Sequence, residues 1–254
     1  MLSVFIIGNG RMAQHLAQAL AETDVQIEGV YARDEVKGKL FAEQIMAPFY
    51  SKIEEVPPHC DVYFLAVSDQ AIPTLSALLN VQGLVVHCAG MVSINAIHKQ
   101  VHRGVFWPIQ SFSKHTSVSF KEIPICIEAN SEENVRILEA IADRISKSVH
   151  ILEEKQRQKL HVAAVVVNNF SNHLFVLAEN FLQENELSFN LMKPLIKETA
   201  AKIEYLSPRL AQTGPANRND LNTLLLHQDL LSEYSNLLEV YTCLSESIIK
   251  NKSV

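Results

Sequence analysis

The first half of the chain alternates short apolar runs with stretches of helical periodicity. The apolar runs predict strands at residues 2–7, 25–31, 47–50, 61–67, 83–88, 104–107, 123–128 and 148–152. Strands that alternate with helices at this spacing form a mostly parallel, doubly wound sheet. The pattern therefore predicts an α/β domain over residues 1–152.

The pattern becomes helical after about residue 152. Helices are predicted near 153–185, 189–206, 219–231 and 233–249, with breaks at Pro194, Pro208 and Gly214-Pro215. Pro194 is also compatible with the first turn of a helix. Glycine follows the same division, because seven of the eight glycines lie at or before Gly104. We expect an all-α C-terminal domain over residues 153–254.

A glycine turn joins the first predicted strand to the first predicted helix. Its sequence is Gly8-Asn9-Gly10-Arg11-Met12-Ala13. Gly8 suits a tight turn, Gly10 leaves room for phosphates, and Ala13 lets the helix pack closely on the strand. The free N–H groups of such a helix N-terminus attract an anion. This arrangement is typical of a Rossmann-like dinucleotide-binding domain.

The tip of the second strand selects between the two dinucleotides. NAD-binding versions carry Asp or Glu there, but this chain has Ala32-Arg33. A guanidinium group suits a 2′-phosphate, so Arg33 favours NADP. Two alternatives stay open: Asp34 turns back to a 2′-hydroxyl, or Arg33 is a solvated loop residue.

Composition excludes several other classes of protein. The chain has 254 residues, 48% of them hydrophobic and 20% charged, and a net charge of −6, which argues against a nucleic-acid partner. Its four cysteines have no close spacing, which predicts no metal site, no disulfide framework and a cytoplasmic location. The stretch Leu160–Ala178 lacks Asp, Glu, Lys and Arg but contains His and Asn, so we expect a soluble helix rather than a membrane span.

Several segments resemble known families. The glycine turn, Ala66-Val67-Ser68-Asp69 and His87-Cys88-Ala89-Gly90 are similar to the cofactor loops of pyrroline-5-carboxylate reductases and of the wider 6-phosphogluconate dehydrogenase-like group. The segments 106–112, 167–173 and 212–220 resemble an uncharacterised family that joins a Rossmann-like NADP-binding domain to a helical domain of unknown function. This resemblance implies a homodimer formed through the helical domain and a catalytic cleft between the domains. It implies no substrate.

One position departs from the pattern of these families. Relatives often have His-Pro where this chain has Trp107-Pro108. A catalytic role for that histidine therefore does not transfer to this chain.

The segments that follow the fourth and fifth strands should border the nicotinamide. Ligands of open α/β sheets lie at the carboxyl ends of the strands. The candidate cofactor-binding residues are Gly8, Asn9, Gly10, Arg11, Met12, Ala13, Arg33, Ala66, Val67, Ser68, Ala89 and Gly90. Ser68 and Asp69 are equally suited to cap the following helix. His87, inside a strand, is interpreted as a core histidine.

The long helix carries a polar face without formal charge. At 100° per residue, His161, Asn168, Asn169, Asn172 and His173 fall within an arc of about 140°. Such groups suit an enclosed cleft that orients a carbonyl or imine, although a solvated helix face is the alternative. His161 or His173 would donate a proton, and Asn169 would orient the acceptor.

A loop near residue 214 contains the last candidate. Arg218, in Thr213-Gly214-Pro215-Ala216-Asn217-Arg218-Asn219-Asp220, is suited to bind a substrate carboxylate. The alternative is a helix cap formed by Asn219 or Asp220, with Arg218 in solvent.

Together these features predict an NADP-dependent oxidoreductase that transfers hydride between the nicotinamide and a small carbonyl or imine compound in the interdomain cleft. Two alternatives remain. One is a reductase that exchanges hydride with a deazaflavin. The other is an NADP-binding sensor or scaffold without turnover. Trp107 in place of histidine keeps this alternative open. So does the lack of a Lys-x-x-x-Asn pair on the long helix, because Lys159 and Asn169 lie about three helical turns apart and cannot act as neighbours.

Overall fold

The computed structural model describes residues 1–113 and 118–251. Its strands are β1 (Ser3–Ile7), β2 (Gln26–Tyr31), β3 (Phe49–Tyr50), β4 (Val62–Leu65), β5 (Leu84–His87), β6 (Arg103–Pro108), β7 (Ile125–Ala129) and β8 (Val149–Ile151). In this part of the chain they form one eight-stranded sheet in the order β3-β2-β1-β4-β5-β6-β7-β8. Each predicted strand is present. All described pairings are parallel except that of β6 with β7, so the predicted fold class is confirmed.

Helices cover both faces of this sheet, and further helices follow it along the chain. They are α1 (Arg11–Ala21), α2 (Glu35–Gln44), α3 (Ile72–Leu78), α4 (Glu132–Ile145), α5 (Glu154–Ala164), α6 (Ser171–Glu184), α7 (Lys193–Lys202), α8 (Pro208–Ala211), α9 (Pro215–Arg218), α10 (Leu221–Leu230) and α11 (Ser235–Asn251). Pro194 lies in the first turn of α7, as predicted, because a proline there loses no helical hydrogen bond.

Alternating side chains of β1 form the core on the two faces of the sheet. Val4 packs in one buried cluster with Leu16 of α1. Phe5 and Ile7 point the other way and pack with Ile72 of α3. This period-two alternation within an almost entirely buried strand is typical of a sheet with helices on both faces.

The chain divides into two compact units, Met1–Asn168 and Asn169–Val254. The sequence pattern predicts the division at 152/153 instead. The difference is α5, which is helical like the second unit but bonds to residues of the first. Arg157 donates to Glu128 of β7 and to the Gly90 carbonyl, and Ser93 donates to Glu154.

The long predicted helix is not a uniform α-helix. A π-helical segment, Val165–Phe170, separates α5 from α6. A π-helix bonds each residue to the fifth along the chain, so the 100° step of an α-helix does not apply across it. The 140° arc predicted for His161, Asn168, Asn169, Asn172 and His173 assumes that step throughout, so its width does not carry over to this helix.

The stretch Glu154–Glu184 is long and apolar enough to cross a membrane by length and composition. Its mean hydropathy reaches 1.3, and none of its most apolar portion is buried. A single stretch of this kind is weak evidence for a membrane protein, because core helices of soluble proteins pass the same criteria.

The second unit has a small interior of its own. Among its described residues, the buried hydrophobic side chains are Ala216, Leu224 and Leu231. Large apolar side chains are exposed along most of its helices, namely Phe170, Leu174, Phe175, Val176, Leu187, Leu191, Leu195, Ile203, Tyr205, Leu206, Leu210, Leu221, Leu225, Leu226, Leu230 and Leu244. An apolar surface of this extent is typical of an interface.

Candidate dinucleotide-binding site

Gly8 makes the turn that follows β1. Its φ of +119° lies in the region that favours glycine, and a Cβ atom there would overlap the Ala66 carbonyl oxygen. Its N–H donates to the Tyr31 carbonyl over 2.8 Å. The turn is therefore held against the ends of both neighbouring strands, β2 and β4.

Gly10 borders open space at the start of α1. It precedes α1 with φ −70° and ψ 177°, which any residue adopts, and a Cβ atom there would meet nothing within 4 Å. The first turn of α1 contains no acidic residue. Its N–H groups lack helical partners by geometry, so the positive end of the helix is available to an anion.

A cavity of about 440 Å³ lies at this edge of the sheet. It is lined by Gly8, Asn9, Gly10, Arg11, Met12, Tyr31, Ala32, Arg33, Asp34, Ala66, Val67, Ser68, Ala71 and Leu75. Most of the predicted cofactor residues are among them. Ala13 is fully buried, and Ala89 and Gly90 are not part of this lining.

Asn9 supplies an observation that fits a bound dinucleotide. Its side-chain Nδ2 is buried and has no hydrogen-bond partner, whereas its carbonyl accepts from Gln14 over 3.0 Å. A buried donor without a partner is costly, and a ligand acceptor would satisfy it. This group and the open space beside Gly10 both fit a phosphate-bearing cofactor.

Asp34 is already engaged by its own helix. Its carboxylate accepts from the Lys37 N–H over 3.0 Å and pairs with Lys37 Nζ at 2.8 Å, and these hydrogen bonds lower its pKa. The neighbouring Arg33 is exposed and lines the cavity. The arrangement favours Arg33 over Asp34 as the residue that meets the 2′ position.

Ser68 occupies the N-cap position of a short 3-10 turn, Asp69–Ala71. Its side chain makes no capping hydrogen bond there. Its hydroxyl, at the cavity wall, is therefore not used by the turn.

Gly90 lies in contact with two aromatic side chains. A Cβ atom at Gly90 would overlap the His161 ring and lie 2.9 Å from Trp107. The rings of Trp107 and His161 are 5.5 Å apart. The structure thus brings His161 against the segment that follows β5. The Trp107 ring lies beside both Gly90 and the His161 ring.

His87 is fully buried at the end of β5. Burial, with the nearby Arg157 charge, lowers its pKa to about 4. Its Nδ1 accepts from the Ala89 N–H over 3.2 Å. The imidazole therefore stays neutral at physiological pH and holds the start of the following segment.

The other predicted substrate residues lie in the second unit. Asn169 and His173 are exposed, and so is Arg218 at the end of α9. Asp220 caps α10 by accepting from the Thr223 N–H over 3.2 Å, which is the alternative stated for this loop. Among the described residues, no group of three or more His, Cys, Asp or Glu side chains could hold a metal ion.

Arg157 is the residue that sequence reasoning missed. Its side chain is fully buried and pairs with Glu128 of β7 at 2.9 Å. In sequence it lies among Lys155, Gln158 and Lys159 and resembles a solvated helix face. The available signal was Glu128, a carboxylate directly after the apolar run Ile125–Ile127, because a carboxylate in a buried strand needs a partner.

Two family descriptions match the chain. Residues 2–87 match "Oxidoreductase family, NAD-binding Rossmann fold", and residues 123–248 match "Domain of unknown function (DUF2520)". Together with the glycine turn and the cavity, the first match defines an oxidoreductase-type Rossmann protein that binds NAD or NADP.

Solved structures extend these matches to the whole chain. A putative NADP oxidoreductase from Bacteroides fragilis is 37% identical, with 98% of each chain covered and a TM-score of 0.89. A protein from Thermotoga maritima is 22% identical over 96% of this chain and 99% of that one, with a TM-score of 0.79. A 1-pyrroline-5-carboxylate reductase from Streptococcus pyogenes is 15% identical over 100% and 99%, with a TM-score of 0.66, and shows the fold alone. No curated protein matches the sequence.

The chain belongs to the family that joins an NAD-binding Rossmann domain to the DUF2520 domain.

Proposed function

We propose that this protein is an NADP-dependent oxidoreductase that acts on a small carbonyl or imine compound. The observation that carries the proposal is the cavity beside Gly8 and Gly10, with the buried, unpartnered Asn9 Nδ2 in its wall. The name of the Bacteroides fragilis relative, at 37% identity, supports NADP as the cofactor.

The chain's own residues would hold the cofactor from three directions. The N-terminus of α1 and Asn9 face the pyrophosphate, Arg33 pairs with the 2′-phosphate, and Ser68 offers a hydroxyl to the ribose. When bound, the nicotinamide supplies the hydride, and the protein supplies position and a proton.

Gly10 offers a direct test of cofactor binding. Because its Cβ would enter open space and its backbone suits any residue, Gly10→Ala should fold normally. We expect Gly10→Ala to weaken NADPH binding at least about tenfold, and Gly10→Val to weaken it further, by calorimetry. Unchanged affinity in both variants, with unchanged melting temperatures, would contradict this site.

We propose His161 as the proton donor, because it contacts Gly90 at the end of the β5 segment. A screen of carbonyl and imine metabolites, followed through NADPH absorbance, identifies the substrate. With that substrate, His161→Gln should lower turnover at least about tenfold while NADPH affinity stays unchanged. His98→Gln, at an exposed histidine, is the control. Asn169→Ala and Arg218→Ala test the two residues proposed to orient the substrate.

A second candidate function is a sensor that binds NADP without turnover. Trp107 favours it, because its ring lies against His161 and leaves less of the imidazole free. Tight NADPH binding without turnover on any compound of the panel would support it. No observation favours a deazaflavin as the hydride partner.

We also propose that the protein is a cytoplasmic homodimer, formed through the exposed apolar side chains of the second unit. Burial of these side chains against a second copy would complete the small interior of that unit.

A further inference from the structure

One face of α5 is bonded to the segment that follows β5. Glu154, Arg157, Gln158 and His161 have the spacing of a single helix face. Ser93 donates to Glu154 over 2.6 Å, and Gln158 donates to the Met91 carbonyl over 3.2 Å. Together with the contact of His161 on Gly90, this face holds residues 89–93 along their length.

Arg157 is the centre of this contact. One Nη donates to the Gly90 carbonyl over 2.7 Å and to the Ala89 carbonyl over 3.3 Å. The remaining donors reach Glu128, with Nε at 3.2 Å and the other Nη at 2.9 Å. The guanidinium group is therefore fixed by one carboxylate and two backbone carbonyls.

A buried ion pair is an expensive way to join a helix to a sheet. Apolar side chains of similar volume often stabilise a protein as well or better, since here the Arg157 charge leaves water completely and the Glu128 charge leaves most of it. What the planar guanidinium adds is direction, because its fork fixes several acceptors at once. The feature thus suits a role in which the position of the backbone matters.

The Ala89 backbone is bonded to a second side chain as well. Its N–H donates to His87 Nδ1, while its carbonyl accepts from Arg157. Both backbone polar groups of this residue, which belong to two successive peptide units, are thus bonded to buried side chains. Ala89 follows β5, which pairs with β4, and the end of β4 leads into the cavity wall at Ala66.

We propose that Arg157 is a positioning residue for the nicotinamide half of the cofactor, acting through the Ala89 and Gly90 carbonyls that it holds. The inference rests on the proposed function, since it takes the segment after β5 as the neighbour of the nicotinamide. Arg157 itself does not touch the cofactor. Glu128 keeps the guanidinium group in place.

The test compares two ligands on the intact protein. NADPH carries the nicotinamide, and 2′-phospho-ADP-ribose has the rest of the molecule without that ring. We expect Arg157→Met to weaken NADPH binding at least about tenfold and to change binding of 2′-phospho-ADP-ribose less than about twofold. Arg157→Lys should recover part of the loss, and Glu128→Gln should show a smaller loss of the same kind. Arg136→Met, at an exposed arginine of α4, is the matched control.

The outcomes separate this inference from the proposed function. Equal losses for both ligands, or no loss for either, would overturn the role of Arg157. If Arg157→Met does not fold, the ratio of the two affinities in Arg157→Lys and Glu128→Gln decides, and a ratio equal to that of the wild type overturns it. If wild-type protein binds neither ligand, the proposed function itself is wrong.

Discussion

Two neighbouring side chains after β2, those of Arg33 and Asp34, differ in whether they already have a partner at the start of α2. Asp34 is committed to Lys37 and to the start of α2, whereas the Arg33 side chain is exposed at the cavity. A carboxylate that already caps a helix would lose those hydrogen bonds on turning toward a ribose. We therefore expect Arg33, rather than Asp34, to determine the choice between NADP and NAD.

We expect wild-type protein to bind NADPH well over tenfold more tightly than NADH, because the guanidinium group meets the 2′-phosphate. Arg33→Ala should narrow this difference by about 1.5–3 kcal/mol, the scale of a charge-assisted hydrogen bond. Titration calorimetry with both ligands measures it, and Lys37→Ala on the neighbouring turn is the control. Equal affinities of the wild-type protein for NADPH and NADH would contradict the role of Arg33 and favour Asp34 as the residue that meets the ribose 2′-hydroxyl.

His87 should make the protein less stable in mild acid. The unfolded chain protonates this imidazole below about pH 6.5, but the folded protein does so only near its pKa of about 4. The unfolded state thus binds more protons between these values, and the free energy of unfolding decreases as pH falls through that window. Over this whole window, His87 lowers the free energy of unfolding by about 3 kcal/mol.

Urea denaturation between pH 7 and pH 4.5 measures this loss. His87→Asn, which keeps an acceptor near the Ala89 N–H, should flatten the dependence on pH, whereas His98→Asn at the surface should not. Parallel curves for wild type and His87→Asn would show that another group is responsible.

Elements whose apolar side chains repeat at the period of a strand or helix could be predicted from the sequence. Features that depend on a single local distortion or on one contact between distant residues could not. The apolar runs predict every strand, and Pro194 marks the first turn of α7. The π-helical turn could not be predicted, because the apolar residues Val165–Val167 are equally compatible with a regular α-helix. The Arg157–Glu128 pair joins residues 29 positions apart, beyond the reach of local periodicity.

The packing of α5 on the sheet should depend on the absence of a side chain at residue 90. Gly90→Ala would push a methyl group into the His161 ring and toward Trp107. We expect a loss of about 1–3 kcal/mol in the free energy of unfolding, the usual cost of overpacking. Gly10→Ala, whose added methyl group meets nothing, is the control in the same urea experiment. Equal stability of the two variants would show that His161 moves away freely.

At the scale of the whole molecule, the two units differ in how much they bury. The first unit contains almost all buried hydrophobic residues, whereas the second leaves side chains such as Phe170, Leu195 and Leu225 exposed. Sequence periodicity identifies the apolar faces of these helices. It does not say whether the same chain or another copy covers them, since both give the same pattern.

We predict a homodimer in sedimentation velocity at micromolar concentration, in both low and high salt, because apolar burial is not screened by ions. Leu225→Glu with Leu226→Glu should shift the protein toward monomer, while Val36→Glu, at an exposed apolar residue of the first unit, should not. A wild-type monomer under all these conditions would contradict the prediction. Recovery only with lipid or detergent would instead favour a membrane role for Glu154–Glu184.

Trp107 is the single tryptophan of the chain, and its ring lies beside His161 with only 8% of its surface exposed. All indole fluorescence of a homogeneous sample therefore originates at one known point. A reduced nicotinamide absorbs at the wavelengths where indole emits. An unlabelled sample in a fluorimeter would thus report the arrival of NADPH near this ring in real time.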